Sequence, residues 1–239
     1  MRQKRVSILL LLLTLPVCFQ AHGDGTSIDK VYHPYVQLLE REIEYRTLYE
    51  QDSDNRIDGR KRHRLGYGQA LSDQWFVELY LTGTDGPGSD LELESYELEV
   101  KWQLTEQGEY ENDWGLLFEL EKEHNDNIWE ASSTLIVLHE WSDWIATGNF
   151  SVIYEWGNDF DNEWETAFAG QLRYRNSEQI EPGIEFYQSQ DTQGVGPVVT
   201  GLWRLGDGKK LNWEFGAILG TNNDTANVNW KFDLEYEFK

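Results

Sequence analysis

The sequence has a single cysteine, Cys18, and it lies inside an apolar run near the start of the chain. Three basic residues precede this run and Ala21-His22-Gly23 follows it, so residues 1–23 are predicted to be a signal peptide. A mature chain without Cys18 forms no disulfide and has no thiol chemistry. We therefore expect an exported protein whose stability does not depend on a disulfide framework.

Basic residues are also scarce, since 20 Lys and Arg stand against 43 Asp and Glu, for a formal net charge of −23. Nucleic acid is not expected as a partner, because phosphate would be repelled by so acidic a chain. No segment has the apolar periodicity of a long amphipathic helix. The chain is instead rich in aromatics, with 11 Trp, 12 Tyr and 10 Phe.

The last stretch, Val228–Phe238, shows the pattern that the rest of the chain repeats. Apolar or aromatic residues alternate here without a break with Asn, Lys, Asp and Glu. Side chains of a strand point to opposite faces with period two, so the stretch is predicted to be a strand with one apolar and one polar face. The apolar face could meet a soluble core or a lipid bilayer.

The pattern recurs along the chain and predicts about twelve strands, beginning with Tyr35–Tyr49. Most of them approach the roughly 9–11 residues that a tilted strand needs to cross a membrane, longer than the about 5–6 typical of soluble sheets. The predicted fold is all-β, an antiparallel transmembrane β-barrel. We expect residues 24–34 to form a periplasmic N-terminal lead and residues 35–239 to form the barrel.

Tryptophans lie near the predicted strand ends. This favours a membrane-spanning barrel, because girdles of aromatic residues mark the two bilayer interfaces. The predicted interface tryptophans are Trp75, Trp141, Trp144, Trp203 and Trp213 on one side and Trp129, Trp156 and Trp164 on the other.

Together, the signal peptide, the alternating strands and a closing strand with aromatics at alternate positions resemble Gram-negative outer-membrane β-barrels of the small porin-like class. In that class the final aromatic is usually the last residue, whereas Lys239 follows Phe238 here. The resemblance implies an outer-membrane location, contact with the lipid bilayer and lipopolysaccharide, and recognition of the last strand by the barrel assembly machinery. The runs GYGQALSDQWFVELY and ESYELEVKWQLTEQGEYENDWGLLFELE also resemble uncharacterised proteobacterial envelope proteins.

Barrels of this size include a phospholipase, and a serine hydrolase needs its serine within hydrogen-bond reach of a histidine. His139 shares its predicted strand with Ser132 and Ser133, but they lie roughly 20 Å away along an extended strand, and no GxSxG motif is present. No enzyme activity and no cofactor are predicted.

The acidic loops do not predict a metal site. In the loop at residues 50–58, Arg56 stands where a calcium loop needs Asp or Asn. The Asn- and Asp-rich loops at 158–163 and 222–224 are better explained as solvated.

The polar strand faces are the most informative feature of the sequence, because in a barrel they would all point inward. The predicted lumen-lining residues are Glu40, Glu42, Glu44, Arg46, Arg62, Arg64, Glu97, Glu99, Lys101, Glu119, Glu121, Glu123, Glu165, Arg173, Arg175, Glu214, Lys231, Asp233 and Glu235. So many carboxylates cannot all stay charged and unpaired.

Two interiors satisfy this constraint. A lumen with water and counter-ions would be a narrow channel for small solutes or ions, and its excess of acid would favour cations. Carboxylate–arginine pairs across the barrel would instead close it and leave a structural or surface-interaction role. A soluble periplasmic β-barrel that binds a ligand on its aromatic face is the third hypothesis.

Overall fold

The computed structural model describes residues 28–53, 57–158 and 162–239. The predicted signal peptide, residues 1–23, lies outside the described residues. Within them no helix is long and apolar enough to cross a membrane. The described chain forms twelve strands: β1 Arg41–Gln51, β2 Lys61–Ala70, β3 Trp75–Asp85, β4 Glu92–Gln103, β5 Asp113–Glu123, β6 Ile128–Trp141, β7 Trp144–Gly157, β8 Glu163–Tyr174, β9 Glu181–Gln188, β10 Gln193–Gly206, β11 Lys209–Gly220 and β12 Val228–Phe238.

Each strand pairs antiparallel with its neighbour in the chain, and β1 pairs with β12 to close the sheet into a barrel. This seam is regular, running from Arg41 opposite Phe238 to Gln51 opposite Val228. Closure leaves no unpaired sheet edge. The prediction of an all-β antiparallel barrel of about twelve strands is confirmed.

The two rims of the barrel differ in what they carry. We call one rim the turn end: it holds the start of β1, the end of β12 and the connections at 71–74, 104–112, 142–143, 175–180 and 207–208. We call the other rim the loop end, with the connections at 52–60, 86–91, 124–127, 158–162, 189–192 and 221–227.

The strand faces are apolar outside and polar inside, the reverse of a soluble barrel. In β1 the inward Glu44 and Arg46 are 0% and 4% exposed, whereas the outward Ile43 and Tyr45 are 47% and 37% exposed. The same alternation runs round the wall. Other exposed outward residues include Leu65, Tyr67, Leu79, Leu81, Phe118, Leu120, Phe150, Val152, Ile184, Phe186 and Phe215.

The start of the barrel differs from the sequence-based prediction. β1 begins at Arg41 rather than Tyr35, because the chain turns at Gln37–Glu40, where Leu39 has a left-handed φ of 68°. The described part of the stretch predicted as a periplasmic lead, residues 28–34, lies inside the barrel with Ile28 and Val31 buried. We call residues 28–37 the luminal segment.

Space inside β2 is made by glycine. Gly66 lies directly opposite Tyr80 of β3, and a Cβ atom at Gly66 would lie 2.3 Å from the Tyr80 ring. Tyr80 consequently lies flat against the wall, 1% exposed, with the guanidinium carbons of Arg46 and Arg64 4.8 Å and 4.7 Å from its ring centroid.

Replacing Gly66 with alanine should destabilise the barrel by about 1–3 kcal/mol, because the added methyl group overpacks against the Tyr80 ring. Equilibrium urea unfolding in detergent micelles measures the change. Gly86→Ala is the matched control, since a Cβ at Gly86 would have only the Ser89 hydroxyl at 3.5 Å. Equal stability of the two variants would contradict this packing account.

Candidate functional site: the barrel interior

The luminal segment crosses the interior from one rim to the other. Ile28 packs near the loop end in an apolar cluster with Leu48, Tyr187, Val198 and Ile218. At the other extreme Gln37 accepts a hydrogen bond of 2.8 Å from Lys210, beside the turn between β10 and β11. The segment therefore occupies the length of the lumen before the chain turns back into β1.

Asp29 is the most heavily bonded residue of the luminal segment. Its Oδ2 atom accepts hydrogen bonds from Arg46 at 2.8 Å and Arg64 at 2.6 Å. Its carbonyl oxygen accepts hydrogen bonds of 2.6 Å each from the Lys231 ammonium and the Tyr187 hydroxyl. One residue thus binds three basic side chains from β1, β2 and β12, of which Arg46 and Lys231 are buried.

Lys30 is positively charged and contacts carboxylates on a neighbouring part of the same wall. Its ammonium group donates to Glu44 at 2.5 Å and to Glu235 at 2.8 Å, with Asp233 at 3.9 Å. Hydrogen-bonded ion pairs of this kind offset the cost of removing each partner from water. The adjacent Asp29 and Lys30 therefore form a charge pattern that complements the wall of β1 and β12.

Tyr32 joins the luminal segment to the far side of the barrel. Its backbone N–H donates to Asn149 Oδ1 at 2.7 Å, and Asn149 Nδ2 donates to its carbonyl oxygen at 2.9 Å. The Tyr32 hydroxyl donates to Glu99 at 2.7 Å and accepts from Arg46 at 3.0 Å. The single Asn149 side chain satisfies both backbone groups of Tyr32, as a neighbouring strand would.

Two large chambers flank the luminal segment. The empty space of the loop-side chamber is ≈ 1550 Å³ and that of the turn-side chamber ≈ 1530 Å³, including the solvent at their open sides. Both are lined by Lys30 and Tyr32, so these two side chains stand where the chambers meet.

A row of glutamates crosses five adjacent strands on the wall of the loop-side half. Glu97 pairs with Glu121, Glu121 with Glu130, Glu130 with Glu155 and Glu155 with Glu163. We call these five residues the acid row. Neighbouring strands are about 4.8 Å apart, and like charges placed directly opposite one another are destabilising. The acid row consequently attracts positive charge into this half of the lumen.

The structure places the predicted lumen-lining residues on the inner face of the barrel or at its turn-end rim. Those at the loop-side chamber or the small pocket beside it are Arg46, Arg62, Arg64, Glu97, Glu119, Glu121, Glu123, Glu165 and Lys231. Those at the turn-side chamber are Glu40, Glu42, Lys101, Arg173, Arg175, Glu214, Asp233 and Glu235. Glu44 and Glu99 lie behind the chamber surfaces, 0% and 1% exposed.

Many of these basic residues are already paired. Ion pairs join Lys231 to Glu185 and Glu214, Arg62 to Glu94, Arg173 to Glu181 and Arg175 to Glu140. At the turn-end rim, burial and the neighbouring Glu237 carboxylate raise the pKa of Glu40 to about 7. These basic residues are thus bonded to carboxylates, while Glu40 and Glu237 are neighbouring carboxylates at the rim.

The predicted interface tryptophans lie towards the two rims, and several stack on a cross-strand partner. Near the turn end Trp75 stacks on Trp102, with ring centroids 5.0 Å apart, and Trp203 lies 5.8 Å from Trp213. Trp141 and Trp144 border the turn between β6 and β7. Near the loop end Trp129 stacks on Trp156 at 6.4 Å, and Trp164 lies at the start of β8.

The histidine and serine side chains considered for catalysis have other partners. His139 Nδ1 lies 2.9 Å from the Glu111 carbonyl oxygen and 3.0 Å from Asn112 Oδ1. Ser132 donates its hydroxyl to Glu119. These contacts assign both side chains to local structure.

Sequence reasoning missed the luminal segment and its partners Asn149 and Tyr187. The available signal was indirect: Asp29 and Lys30 precede the first strand as an isolated pair of opposite charges. Nothing in the sequence pattern shows that they meet Arg46, Arg64 and Lys231, since those contacts depend on closure of the barrel.

Replacing Asn149 with alanine should loosen the luminal segment at Tyr32, because two buried hydrogen bonds are lost and each unsatisfied group costs about 1–3 kcal/mol. Hydrogen–deuterium exchange of the peptide containing Tyr32 should become faster, while exchange in the strands changes little. Thr134→Val, on the inner face of β6 and bonded to Ser151 rather than to the segment, is the control. Equal exchange at Tyr32 in both variants would show that Asn149 does not hold the segment.

No protein-family model matches the chain, and no curated protein matches it. Solved structures do. The COG4313 outer membrane channel from Pseudomonas putida F1 superposes with a TM-score of 0.59 at 15% identity, over 88% of this chain and 98% of that one. The NanC porin gives 0.54 at 10% identity, over 82% and 99%. The KdgM porin in complex with disordered oligogalacturonate gives 0.53 at 10% identity, over 83% and 98%. This chain therefore has the fold of outer-membrane channels and porins.

Proposed function

We propose that the protein is an outer-membrane channel for small solutes or ions that favours cations, and that the luminal segment narrows its pore. The acid row is the observation that carries the proposal. Glu97, Glu121, Glu130 and Glu155 of the row line the loop-side chamber, and along the row the cross-strand partner of each glutamate is another glutamate.

The outer surface supports a membrane location. A band of exposed Leu, Ile, Val, Phe and Tyr side chains circles the barrel, and tryptophans lie towards both rims. An outward apolar band between aromatic girdles is the arrangement that bilayer-spanning barrels require. The same fold occurs in the outer-membrane channel and porins described above. The partners proposed with this location are the lipid bilayer and lipopolysaccharide around the barrel and the assembly machinery acting on β12.

The proposed cation preference follows from which basic side chains are already paired and where the glutamates lie. Arg46, Arg64 and Lys231 on one wall are bonded to Asp29 of the luminal segment and to wall carboxylates. Glu97, at one end of the acid row, is the wall carboxylate bonded to Arg64, and from there the row continues across β5, β6 and β7 to β8. A permeating ion in the loop-side chamber therefore meets a negative wall, and rings or rows of carboxylates select cations.

The proposed pore is narrow because the interior is partly filled. Barrels of eight strands are just filled by their own side chains, whereas those of 16–18 strands leave an aqueous channel. Twelve strands give an intermediate width, and here the luminal segment takes up part of it. Passage from one chamber to the other is proposed to run beside Lys30 and Tyr32, which line both. The protein is proposed to act as a passive conduit without catalytic activity.

A closed barrel is the second candidate, and the ion pairs of the luminal segment are the observation that favours it. It differs from the channel in one measurable property, since a closed barrel conducts no ions through its lumen.

Reconstitution in a planar bilayer under a salt gradient tests the proposed selectivity. We expect a reversal potential on the cation-selective side, and the double variant Glu121→Gln, Glu130→Gln should move it towards zero because two charges leave the acid row. The control is Glu106→Gln, Glu109→Gln, which removes the same charge from exposed positions in the turn at 104–112. Absence of single-channel steps would favour the closed barrel, and equal shifts in both variants would remove the acid row from the proposal.

The luminal segment is expected to limit the conductance. Tyr32→Ala should raise the single-channel conductance, because Tyr32 lines both chambers. Deletion of residues 28–36 should raise it further. Tyr45→Ala, which shortens an outward aromatic, is the control and should leave the conductance unchanged. Each variant is first shown to be folded by its heat-dependent gel shift. An unchanged conductance in folded Tyr32→Ala protein would mean that ions do not pass beside this side chain.

A further inference from the structure

Three carboxylates form a compact cluster at the floor of the loop-side chamber. Glu97 and Glu99 come from β4 and Glu119 from β5, and one oxygen of each lies within 4.8 Å of an oxygen of the other two. Glu97 and Glu99 are 5% and 1% exposed, so the cluster is part of the packed wall. We call these three residues the glutamate triad.

Each triad carboxylate is held in place through one of its two oxygens. Arg64 donates to Glu97 Oε2 and, at 3.3 Å, to Glu99 Oε1, which also accepts from the Tyr32 hydroxyl. Ser132 donates to Glu119 Oε2. The protein thus fixes three carboxylates by one edge.

The second carboxylate oxygen of Glu99, Oε2, is evidence for a bound ligand. Glu99 Oε2 is buried and has no hydrogen-bond partner among the described residues. A buried carboxylate oxygen without a partner is costly, and its Oε1 atom is already occupied. Oε2 is therefore the oxygen still open to a cation, next to the carboxylates of Glu97 and Glu119.

The surrounding charges do not neutralise the triad. Arg64 is the basic group bonded to it, and the same guanidinium is shared with Asp29. Three carboxylates against one shared guanidinium leave at least two negative charges, which matches the charge of a divalent cation.

The ligand set favours calcium among divalent cations. Carboxylate oxygens are the preferred ligands of hard cations, and those bound to Ca²⁺ at about 2.4 Å are roughly 3–4.5 Å apart. That range fits within the 4.8 Å limit seen for the triad. Mg²⁺ needs near-ideal octahedral geometry at about 2.1 Å, a stricter requirement on three side chains of the wall, two of which are buried. Soft metals are disfavoured because no Cys or His belongs to the triad.

From these contacts we infer that the glutamate triad is a calcium site in the wall of the barrel, next to Tyr32 of the luminal segment. Water in the loop-side chamber, which Glu97 and Glu119 line, supplies the remaining ligands. The inference does not rest on conduction, since binding to the folded barrel can be measured whether or not the pore passes ions.

Terbium luminescence on the full-length protein folded in detergent tests the site, because Tb³⁺ replaces Ca²⁺ and is excited through a nearby aromatic ring such as Tyr32. We expect saturable luminescence at neutral pH that Ca²⁺ displaces. Glu119→Gln should weaken Tb³⁺ binding by at least about tenfold, since even the loss of an outer-shell partner of a metal ligand typically costs about 10–100-fold in affinity. Glu97→Gln serves as a second ligand variant if Glu119→Gln fails the heat-dependent gel shift.

Glu123→Gln is the matched control, since Glu123 lines the same chamber but belongs neither to the triad nor to the acid row. Its Tb³⁺ affinity should equal that of the unmodified protein. Equal weakening by Glu119→Gln and Glu123→Gln would overturn the site in favour of a diffuse cloud of counter-ions. Lack of saturable, Ca²⁺-displaceable luminescence would overturn it too and leave protons as the balancing charge.

Discussion

The interior depends on one carboxylate placed between two arginines. Arg46 and Arg64 are direct cross-strand partners on the inner face of β1 and β2, and like charges in that position repel one another. Asp29 accepts a hydrogen bond from each, so its carboxylate bridges the two guanidinium groups and offsets their repulsion. The carboxylate that makes this bridge comes from the luminal segment and not from the wall, which ties the position of the segment to the stability of the barrel.

This bridge also explains the asymmetry of the lumen. The luminal segment lies where its own charges are complemented, with Asp29 against the basic side chains and Lys30 against Glu44 and Glu235. Residues 28–37 bring no further lysine or arginine to β4–β8, where the acid row and the glutamate triad stand. Much of the acid in the loop-side half is therefore left on this wall. In the sequence, a large negative net charge is most simply explained by solubility. In the closed barrel, the inward carboxylates instead produce a negative electrostatic potential in the lumen.

Period-two alternation carried most of what could be predicted. It gave the strand number, the direction of each face and the inward position of residues such as Glu121 and Lys101, because a closed barrel applies one rule to every strand. It failed at residues 35–40, where the end of the luminal segment and the turn before β1 have the same local pattern as a strand, and the left-handed φ of Leu39 in that turn carries no signal in the sequence. The triad was also beyond prediction, since its three members come together through the register of β4 and β5 and the reach of Arg64.

The way the luminal segment is anchored bears on how solute could move past it. Its loop-side end is buried in an apolar cluster around Ile28, which water cannot replace without exposing apolar surface. Its middle is held by hydrogen bonds, by ion pairs and by a second apolar cluster, in which Tyr32 packs with Leu117 and Ile136. The segment is therefore anchored both near Ile28 and at Tyr32. A path between Tyr32 and the wall of β4–β8 runs beside the triad and along the acid row, where carboxylates attract cations.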